Sequence, residues 1–231
     1  MIPSVRYTHD FVRRALPAGC HHILEIGCGR GELARALKDE SFEVLAIDND
    51  QDEVRLAREL GVDALTLAWP TKLDTAFDAI LFTRSLHHIH ALDEALDAAV
   101  TSLRPGGRII VEDFRAEGGT DRSTAWFEHM VRDLNSNGRL REDADLETIL
   151  AKASPSNHDH ELHASAAISE GLGRHGPVER SDAAYYFRYL EPELVEPELA
   201  AELLEQELRL IASGQLDALG KRLVLTPTRR T

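Results

Sequence analysis

The sequence contains little cysteine, few aromatic residues and no long apolar run. Its two cysteines, Cys20 and Cys28, are too few for a disulfide framework, which favours a reducing compartment. No apolar run approaches the roughly 20 residues that cross a bilayer, and the N-terminus lacks the apolar core of a secretory signal. These absences predict a cytoplasmic protein that has no membrane partner.

Basic residues are also scarce, since 26 Lys and Arg stand against 40 Asp and Glu, a formal net charge of −14. Proteins that bind nucleic acid usually need a basic stripe to neutralise phosphates, and none is visible. The densest charge run is acidic and extends from Glu191 to Glu207. It predicts a solvated helix face, with a docking site for a basic partner as the alternative.

The 231 residues fit one domain with an elaboration. Up to about residue 114, short apolar runs alternate with helical patterns, which is typical of βαβ units and a parallel sheet. The apolar runs lack strict alternation, as expected of strands that are buried on both faces. Strands are therefore predicted at 22–26, 44–47, 64–67, 79–82 and 108–111.

The pattern changes after residue 114. A helical cover is predicted at residues 115–176, inserted after the fifth strand. Substrate-covering elements usually lie at this place in open α/β sheets. Residues 1–114 and 177–231 are predicted to form the core of the same single domain. Its last part is expected to contain a strand at Ala184–Leu190, a long helix at Glu193–Ile211 and a final strand at Arg222–Thr226.

A glycine-rich turn joins the first predicted strand to the first helix. Gly27, Gly29 and Gly31 alternate there, and their lack of side chains lets the backbone lie against a ligand. Asp48 follows at the end of the second strand, where a carboxylate can accept hydrogen bonds from both hydroxyls of a ribose. Together these features indicate a cofactor that contains adenosine.

The charges around this turn distinguish between two such cofactors. The dinucleotide fingerprint needs a small residue at position 32, but Glu32 occupies it, so a pyrophosphate would meet a carboxylate at the helix start. A sulfonium cofactor is compatible with Glu25, Glu32 and Asp48. The sequence therefore favours S-adenosylmethionine over NAD.

At this point the sequence resembles the class I S-adenosylmethionine-dependent methyltransferases of the small-molecule type. Four blocks match that family in order and spacing, and together they cover about half the chain. They are ILEIGCGRG at 23–31, VLAIDN at 44–49, FDAILFTRSLHHI at 77–89 and LRPGGRIIVED at 103–113. The resemblance implies a Rossmann-like, doubly wound α/β fold whose seven-stranded, mostly parallel sheet has an antiparallel last strand.

The resemblance also implies a cofactor site. It places Gly27, Gly29 and Gly31 along the cofactor, Glu25 at its amino-acid end, Asp48 on the ribose and Asn49 beside the adenine. Cys28 and Thr83 are expected to line the same site. Many relatives have an acid after the third strand that binds the adenine amino group, whereas Trp69 stands here. Trp69 is predicted to cover the adenine ring, and a plain core tryptophan is the alternative.

Methyl transfer requires that nucleophile, methyl group and sulfur be held in line, and a nearby base helps when the acceptor carries a proton. His87 and His88 follow the fourth strand and are the candidate catalytic residues, although relatives often use such a Leu-His-His run to shape the loop.

Asp113, at the end of the fifth strand, is a candidate substrate ligand or base; like Glu112, it can instead anchor the following loop. Tyr185 and Tyr186 are predicted in the sixth strand, with Tyr186 as a substrate contact and sheet packing as the alternative.

A second cluster, HDHELH at 158–163, contains His160 and His163 on one predicted helix face. Two histidines and a carboxylate can bind zinc, but the segment lies in the predicted cover and lacks cysteine, so His160 is assigned to the substrate and no metal is predicted. The metal-dependent branch of the family has carboxylates after the fourth strand, where Thr83 and Arg84 stand.

The sequence thus predicts a methyltransferase that acts on a small-molecule acceptor, with S-adenosylmethionine as cofactor and no nucleic acid partner. A non-catalytic S-adenosylmethionine-binding subunit or sensor is the alternative, because the acidic helix could bind a partner.

Overall fold

The computed structural model describes residues 1–115, 118–153 and 163–228. Its centre is a seven-stranded sheet with the order β3-β2-β1-β4-β5-β7-β6. The strands are β1 His22–Ile26, β2 Glu43–Asp48, β3 Asp63–Thr66, β4 Phe77–Thr83, β5 Leu103–Phe114, β6 Val178–Ala183 and β7 Gly220–Leu225. β7 pairs antiparallel with both β5 and β6, and the other pairs are parallel, which confirms the predicted fold class.

Helices cover both faces of this sheet. Their bounds are α1 Pro3–Ala15, α2 Glu32–Asp39, α3 Gln51–Glu59, α4 Leu92–Thr101, α5 Asp121–Ser136, α6 Leu146–Ala151, α7 Ser165–Gly173, α8 Tyr186–Leu190 and α9 Leu199–Ala212. Short 3₁₀ turns lie at Leu86–His88 and Glu191–Glu193. Within the described residues, no helix has the length and apolar character needed to span a membrane.

The apolar core has two layers because successive strand residues point to opposite faces. Ile23 of β1 packs with α1, α2 and α3 on one face, whereas the next residue, Leu24, packs with α4 and α7 on the other. Both layers are apolar, which explains why the central strands show no alternation in sequence. A third cluster joins α5, α6, α8 and α9 beyond this sandwich.

The prediction of a strand at Ala184–Leu190 is wrong. The sixth strand is Val178–Ala183, and Tyr186–Leu190 forms a short helix instead. The carboxylate of Glu207 on α9 accepts hydrogen bonds from the amides of Tyr185, Tyr186 and Phe187 at 2.6, 3.1 and 3.0 Å, so it satisfies the free donors at the start of α8. This tertiary contact outweighs the strand propensity of the aromatic run.

Two other boundaries differ from the sequence prediction. The long acidic helix begins at Leu199 rather than Glu193, because a 3₁₀ turn that contains Pro192 precedes it. At the N-terminus, for which the sequence analysis gives no helix, Pro3–Ala15 forms α1 with Pro3 in its first turn, a position that proline favours.

Candidate active site

Two cavities lie at the carboxyl ends of β1, β2 and β4. The larger has a volume of about 680 Å³ and extends from Asp48 on β2 to the loop after β4. The smaller, about 340 Å³, extends from Glu25 on β1 to α1. Both are lined by Gly27, Gly29 and Arg84, so the glycine turn separates two parts of one elongated site.

The glycine turn is tight because the loop after β4 crosses it. Gly27 has a φ of +74°, and a Cβ added there would lie 2.3 Å from the Cβ of Ser85. Ser85 is fixed in this position by its hydroxyl, which donates to the carbonyl oxygen of Ile26 at 2.5 Å. At Gly29, with φ +51°, the nearest atom to an added Cβ is a Glu53 oxygen at 3.8 Å, so this glycine leaves open space beside the backbone.

The third glycine has a different neighbour. Gly31 precedes α2, and an added Cβ would lie 2.8 Å from the Cβ of Ala57 on α3. It therefore permits close packing of α2 against α3 and lines neither cavity. Cys28 lines the smaller cavity, and burial raises the pKa of its thiol to about 12, with the Glu25 and Asp48 carboxylates adding to the effect.

Asp48 stands at the end of β2 with its carboxylate held by the backbone. Its Oδ2 accepts from the amide of Gly29 at 2.8 Å, and its Oδ1 accepts from the amide of Asp50 at 3.0 Å. Each oxygen has a further lone pair, and the residue lines the larger cavity. This geometry suits an acceptor for two neighbouring hydroxyl groups.

Asn49 and Trp69 also line the larger cavity, beside Asp48 and Leu67. Trp69 is 8% exposed, and its indole N–H donates to the carbonyl oxygen of Ala95 on α4 at 3.0 Å. The ring is therefore a fixed apolar wall of the cavity as well as a member of the core. Asn49 is exposed.

Glu25 places a nearly fully buried carboxyl group at the smaller cavity. Its Oε1 accepts from the Thr83 hydroxyl at 3.3 Å, and its Oε2 has no partner with good hydrogen-bond geometry among the described residues, although the backbone amide of Ala34 lies close enough to lower the pKa of the carboxyl group. Burial raises the pKa of Glu25 to about 7, although the Thr83 hydroxyl and Arg84 oppose this shift. An unpartnered buried oxygen is costly unless a ligand donates to it. Such an oxygen fits the cationic amino-acid end of the predicted cofactor.

The two candidate catalytic histidines have different environments. His87 is buried, and its Nδ1 lies 2.6 Å from Oδ1 of Asp113, which also accepts from the amide of Phe114 at 2.9 Å. The His87 ring packs edge to face against Phe114 at 4.7 Å. His88 is exposed and lines the larger cavity. Asp113, 2% exposed, is thus directed toward His87.

Two further residues, His160 and Tyr186, were assigned to the substrate. His160 is outside the described residues. Tyr186 is fully buried among aromatic rings, 5.1 Å from Phe127 and 5.8 Å from Trp126 on α5. His163, from the same histidine cluster, contacts the loop after β4, where its Nε2 lies 2.9 Å from the carbonyl oxygen of Ile89. Among the described residues, no group of three His, Cys, Asp or Glu is arranged to hold a metal ion.

Several residues that line the smaller cavity were not predicted from the sequence, among them Val5 and Thr8 on α1 and Arg84 after β4. Arg84 has a φ of +62°, which is unusual for a residue with a side chain, and its amide donates to the carbonyl oxygen of Glu112 at 2.7 Å. No motif points to α1, because only the tertiary structure brings it over the carboxyl end of β4.

This seven-stranded sheet, with a glycine turn after β1 and a carboxylate at the end of β2 beside a cavity, is typical of the S-adenosylmethionine-dependent methyltransferases. The family model described as a methyltransferase domain matches residues 6–153. The chain therefore belongs to this methyltransferase family, whose cofactor is S-adenosylmethionine.

Curated relatives match about half of the chain. The ubiquinone biosynthesis O-methyltransferase of Xylella fastidiosa (strain 9a5c) is 32% identical over an alignment of 111 residues that covers 44% of this chain and 45% of that protein. The demethylmenaquinone methyltransferase of Thermus thermophilus is 30% identical over 124 residues, 48% of this chain and 55% of that protein. The chain thus spans about half the length of the curated relatives that it matches.

Solved structures match the fold over nearly the whole chain. A SAM-dependent methyltransferase from Archaeoglobus fulgidus has a TM-score of 0.58 at 14% identity and covers 95% of this chain and 93% of its own. The plantazolicin methyltransferase BpumL, solved with a desmethylplantazolicin analogue and SAH, has a TM-score of 0.58 at 15% identity and covers 98% and 84%. At these identities the likeness concerns the fold alone.

Proposed function

We propose that this chain transfers a methyl group from S-adenosylmethionine to a small-molecule acceptor. One observation carries the proposal: two cavities meet at Gly27 and Gly29, with the Asp48 carboxylate on one side and the buried Glu25 carboxylate on the other. A ligand that has a ribose at one end and a cationic amino acid at the other fits this arrangement.

When bound, S-adenosylmethionine supplies an electrophilic methyl group. Asp48 would then accept hydrogen bonds from the ribose hydroxyls, and Glu25 would accept a hydrogen bond from the ammonium group. Asn49 and Trp69 would flank the adenine. Thr83, Cys28 and Gly31 support the same turn. Because the in-line displacement needs little covalent help, the main task of these residues is to hold the sulfur and methyl group in a fixed direction.

His88 is proposed as the base for acceptors that lose a proton. Its side chain belongs to the wall of the larger cavity, and the intrinsic pKa of histidine suits proton transfer near neutral pH. His87 and Asp113 position the loop that carries His88, since they are buried and lie 2.6 Å apart at Nδ1 and Oδ1. Residues 115–176 are proposed to cover the acceptor, and His160 remains a candidate substrate contact. Tyr186 is not retained, because its side chain is fully buried and lines neither cavity.

The acceptor class follows from charge and from relatives. The net charge of −14 disfavours nucleic acid, and two of the relatives are named for ubiquinone biosynthesis and demethylmenaquinone. Hydroxylated aromatic and quinone-type compounds are therefore the first acceptors to test.

The test is transfer of tritium from methyl-labelled S-adenosylmethionine to a panel of such compounds. We expect transfer to at least one of them. His88→Ala should lower turnover at unchanged affinity for S-adenosylhomocysteine, whereas His21→Ala, at the other end of β1, should leave turnover unchanged. Binding of S-adenosylhomocysteine without transfer to any compound would contradict the proposal and favour a cofactor-binding partner subunit.

A further inference from the structure

His163 lies two residues before α7 and contacts the loop after β4, residues 84–91. Its backbone amide donates to the carbonyl oxygen of His87 at 3.1 Å. Its Nε2 lies 2.9 Å from the carbonyl oxygen of Ile89 and 3.2 Å from that of His90. Because a carbonyl oxygen can only accept, Nε2 carries the proton in these contacts. One residue thus holds three carbonyl groups of this loop.

The same loop forms a wall of the larger cavity. Most of its residues line that cavity, namely Arg84, Ser85, His88, Ile89, His90 and Ala91. The backbone around His88 is held by His163, since His163 binds the carbonyl groups of His87, Ile89 and His90. The shape of the cavity therefore depends on contacts made on the outer side of the loop.

The two ends of the loop have anchors of their own. Near its start, the Ser85 hydroxyl donates to the carbonyl oxygen of Ile26 at 2.5 Å. At its end, Ala91 is the N-cap residue of α4, and the next residue, Leu92, is buried in the apolar core. His163 supplies an anchor between these two points, where the backbone belongs to neither a strand nor an α-helix.

His163 can hold the loop because α7 is itself firmly placed. Ile168 and Leu172 of α7 are buried in the same apolar cluster as Leu96 of α4. A Cβ added at Gly171 would lie 2.7 Å from Cδ1 of Leu96, so the two helices approach closely. His163 therefore extends from a helix that is packed against the core.

We propose that His163 is a positioning residue of the active site, whose imidazole holds the loop at 84–91 in the conformation that forms the wall of the larger cavity. The assignment rests on the proposed function and extends it, because it makes binding of the adenosine half of the cofactor depend on the segment before α7. It also gives the last histidine of the HDHELH segment a role other than binding a metal or the substrate.

Loss of this anchor should weaken binding of the cofactor. Without the Nε2 donor the loop samples other conformations, and the apparent affinity falls with the fraction of molecules in which the loop is in place. The loss of one or two neutral hydrogen bonds corresponds to about a 3- to 30-fold change in that affinity.

The test measures binding of S-adenosylhomocysteine by calorimetry. His163→Phe keeps a planar ring but removes the donor, and His163→Ala removes both; either should bind about 3- to 30-fold more weakly than wild type. His163→Gln keeps an amide with two N–H groups for the two carbonyl oxygens and should stay within about threefold of wild type.

His175→Phe is the matched control. His175 flanks the other end of α7, and its Nε2 lies 3.5 Å from Oδ1 of Asp97 on α4. It lines neither cavity of the cofactor site. The affinity of His175→Phe for S-adenosylhomocysteine should therefore equal that of wild type.

Hydrogen exchange, followed by mass spectrometry on the free protein, gives a readout that needs no ligand. Within the loop, the amides of His88 and Ile89 donate to the carbonyl oxygens of Ser85 and Leu86 at 3.1 Å, so they are protected while the loop keeps its conformation. His163→Phe should speed exchange at 84–91 and leave exchange in β7 unchanged.

Four results would overturn the assignment. Unchanged affinity and exchange in His163→Phe would mean that His163 serves stability alone, even if urea unfolded the variant more easily. An equal loss of affinity in His175→Phe would assign the effect to α7 as a whole, and an equal loss in His163→Gln would show that the N–H group is not responsible. If the wild type bound no S-adenosylhomocysteine, the proposed function would fail and the inference with it, whereas the other three results require a wild type that binds.

Discussion

At the residue scale, Glu25 connects burial with ligand binding. Its carboxyl group is nearly inaccessible to solvent, and burial raises its pKa to about 7, against the opposing effects of Thr83 and Arg84. In the free protein it is therefore partly protonated at neutral pH, whereas an ammonium group requires its ionised form. Binding should be coupled to loss of a proton.

This coupling predicts the pH dependence of binding. Affinity for S-adenosylhomocysteine should rise about tenfold between pH 6 and pH 8, because the ionised fraction of a group with a pKa near 7 rises about tenfold over that range. Calorimetry at several pH values would measure this, and Glu25→Gln should flatten the profile. An equally steep profile in the variant would assign the proton to another group.

At the element scale, single buried carboxylates hold helices in place. Glu207 caps α8, and Glu112 joins α1, β5, β7 and α8. Neither role is visible from sequence, because Glu207 belongs to an acidic run that resembles a solvated helix face. Its partners are backbone amides of Tyr185, Tyr186 and Phe187, about 20 residues away.

Replacing Glu207 should loosen α8. Glu207→Gln leaves one of the capped amides without an acceptor and should lower the free energy of unfolding by about 1–3 kcal/mol. Urea denaturation would measure this loss, with the exposed Glu205→Gln on the same helix as a control expected to fall within about 0.5 kcal/mol of wild type. Equal effects of the two substitutions would contradict the capping role.

The pKa of Glu207 also predicts how the free energy of unfolding depends on pH. Burial raises its pKa from 4.5 to about 7, although the three amides oppose the shift, so the folded chain holds a proton that the unfolded chain has lost between these values. Stability should therefore fall as pH rises from about 5 to 7. Glu207→Gln should reduce this fall, leaving the part that Glu25 contributes in the same direction.

Glu112 has the opposite pKa shift. Burial alone would raise the pKa of its carboxyl, but Arg188, Arg222 and Arg84 hold it below the usual 4.5. Glu112→Gln should cost about 3–5 kcal/mol at pH 7, because buried guanidinium groups lose their counterion. Asp182→Asn, which breaks an exposed pair with Lys221, should cost about 0–1 kcal/mol in the same urea titration.

This contrast distinguishes a buried cluster from surface pairing. A cost for Glu112→Gln as small as that for Asp182→Asn would mean that the cluster is not desolvated. The difference between wild type and Glu112→Gln should also shrink at acidic pH, because stability from a group whose pKa is lowered in the fold is lost as pH falls through that pKa.

At the scale of the whole molecule, the strands of the sheet could be predicted except for β6, which lies at one edge. β1, β2, β4 and β5 are continuous apolar runs because helices cover both of their faces. β6 is mostly exposed, with the sequence VERSDA, and so carries no apolar signal. The aromatic run after it was predicted as a strand instead.

The same division applies to the candidate site. Motifs indicated Glu25, Gly27, Gly29 and Asp48, because these residues depend on local turns at strand ends. Thr8 and Arg84 reach the cavity only through contacts between distant elements, such as the hydrogen bond from Nη1 of Arg84 to Thr8, 76 residues away. No local pattern encodes such contacts.

The proposed function depends on Asp48 binding the ribose of an S-adenosyl cofactor, which calorimetry with S-adenosylhomocysteine can measure. Asp48→Ala should weaken binding about 5- to 150-fold, the equivalent of about 1–3 kcal/mol of lost hydrogen bonding. Asp52→Ala, on the exposed side of α3, should bind as wild type does. Equal affinity of wild type and Asp48→Ala for S-adenosylhomocysteine would mean that Asp48 does not bind the ribose.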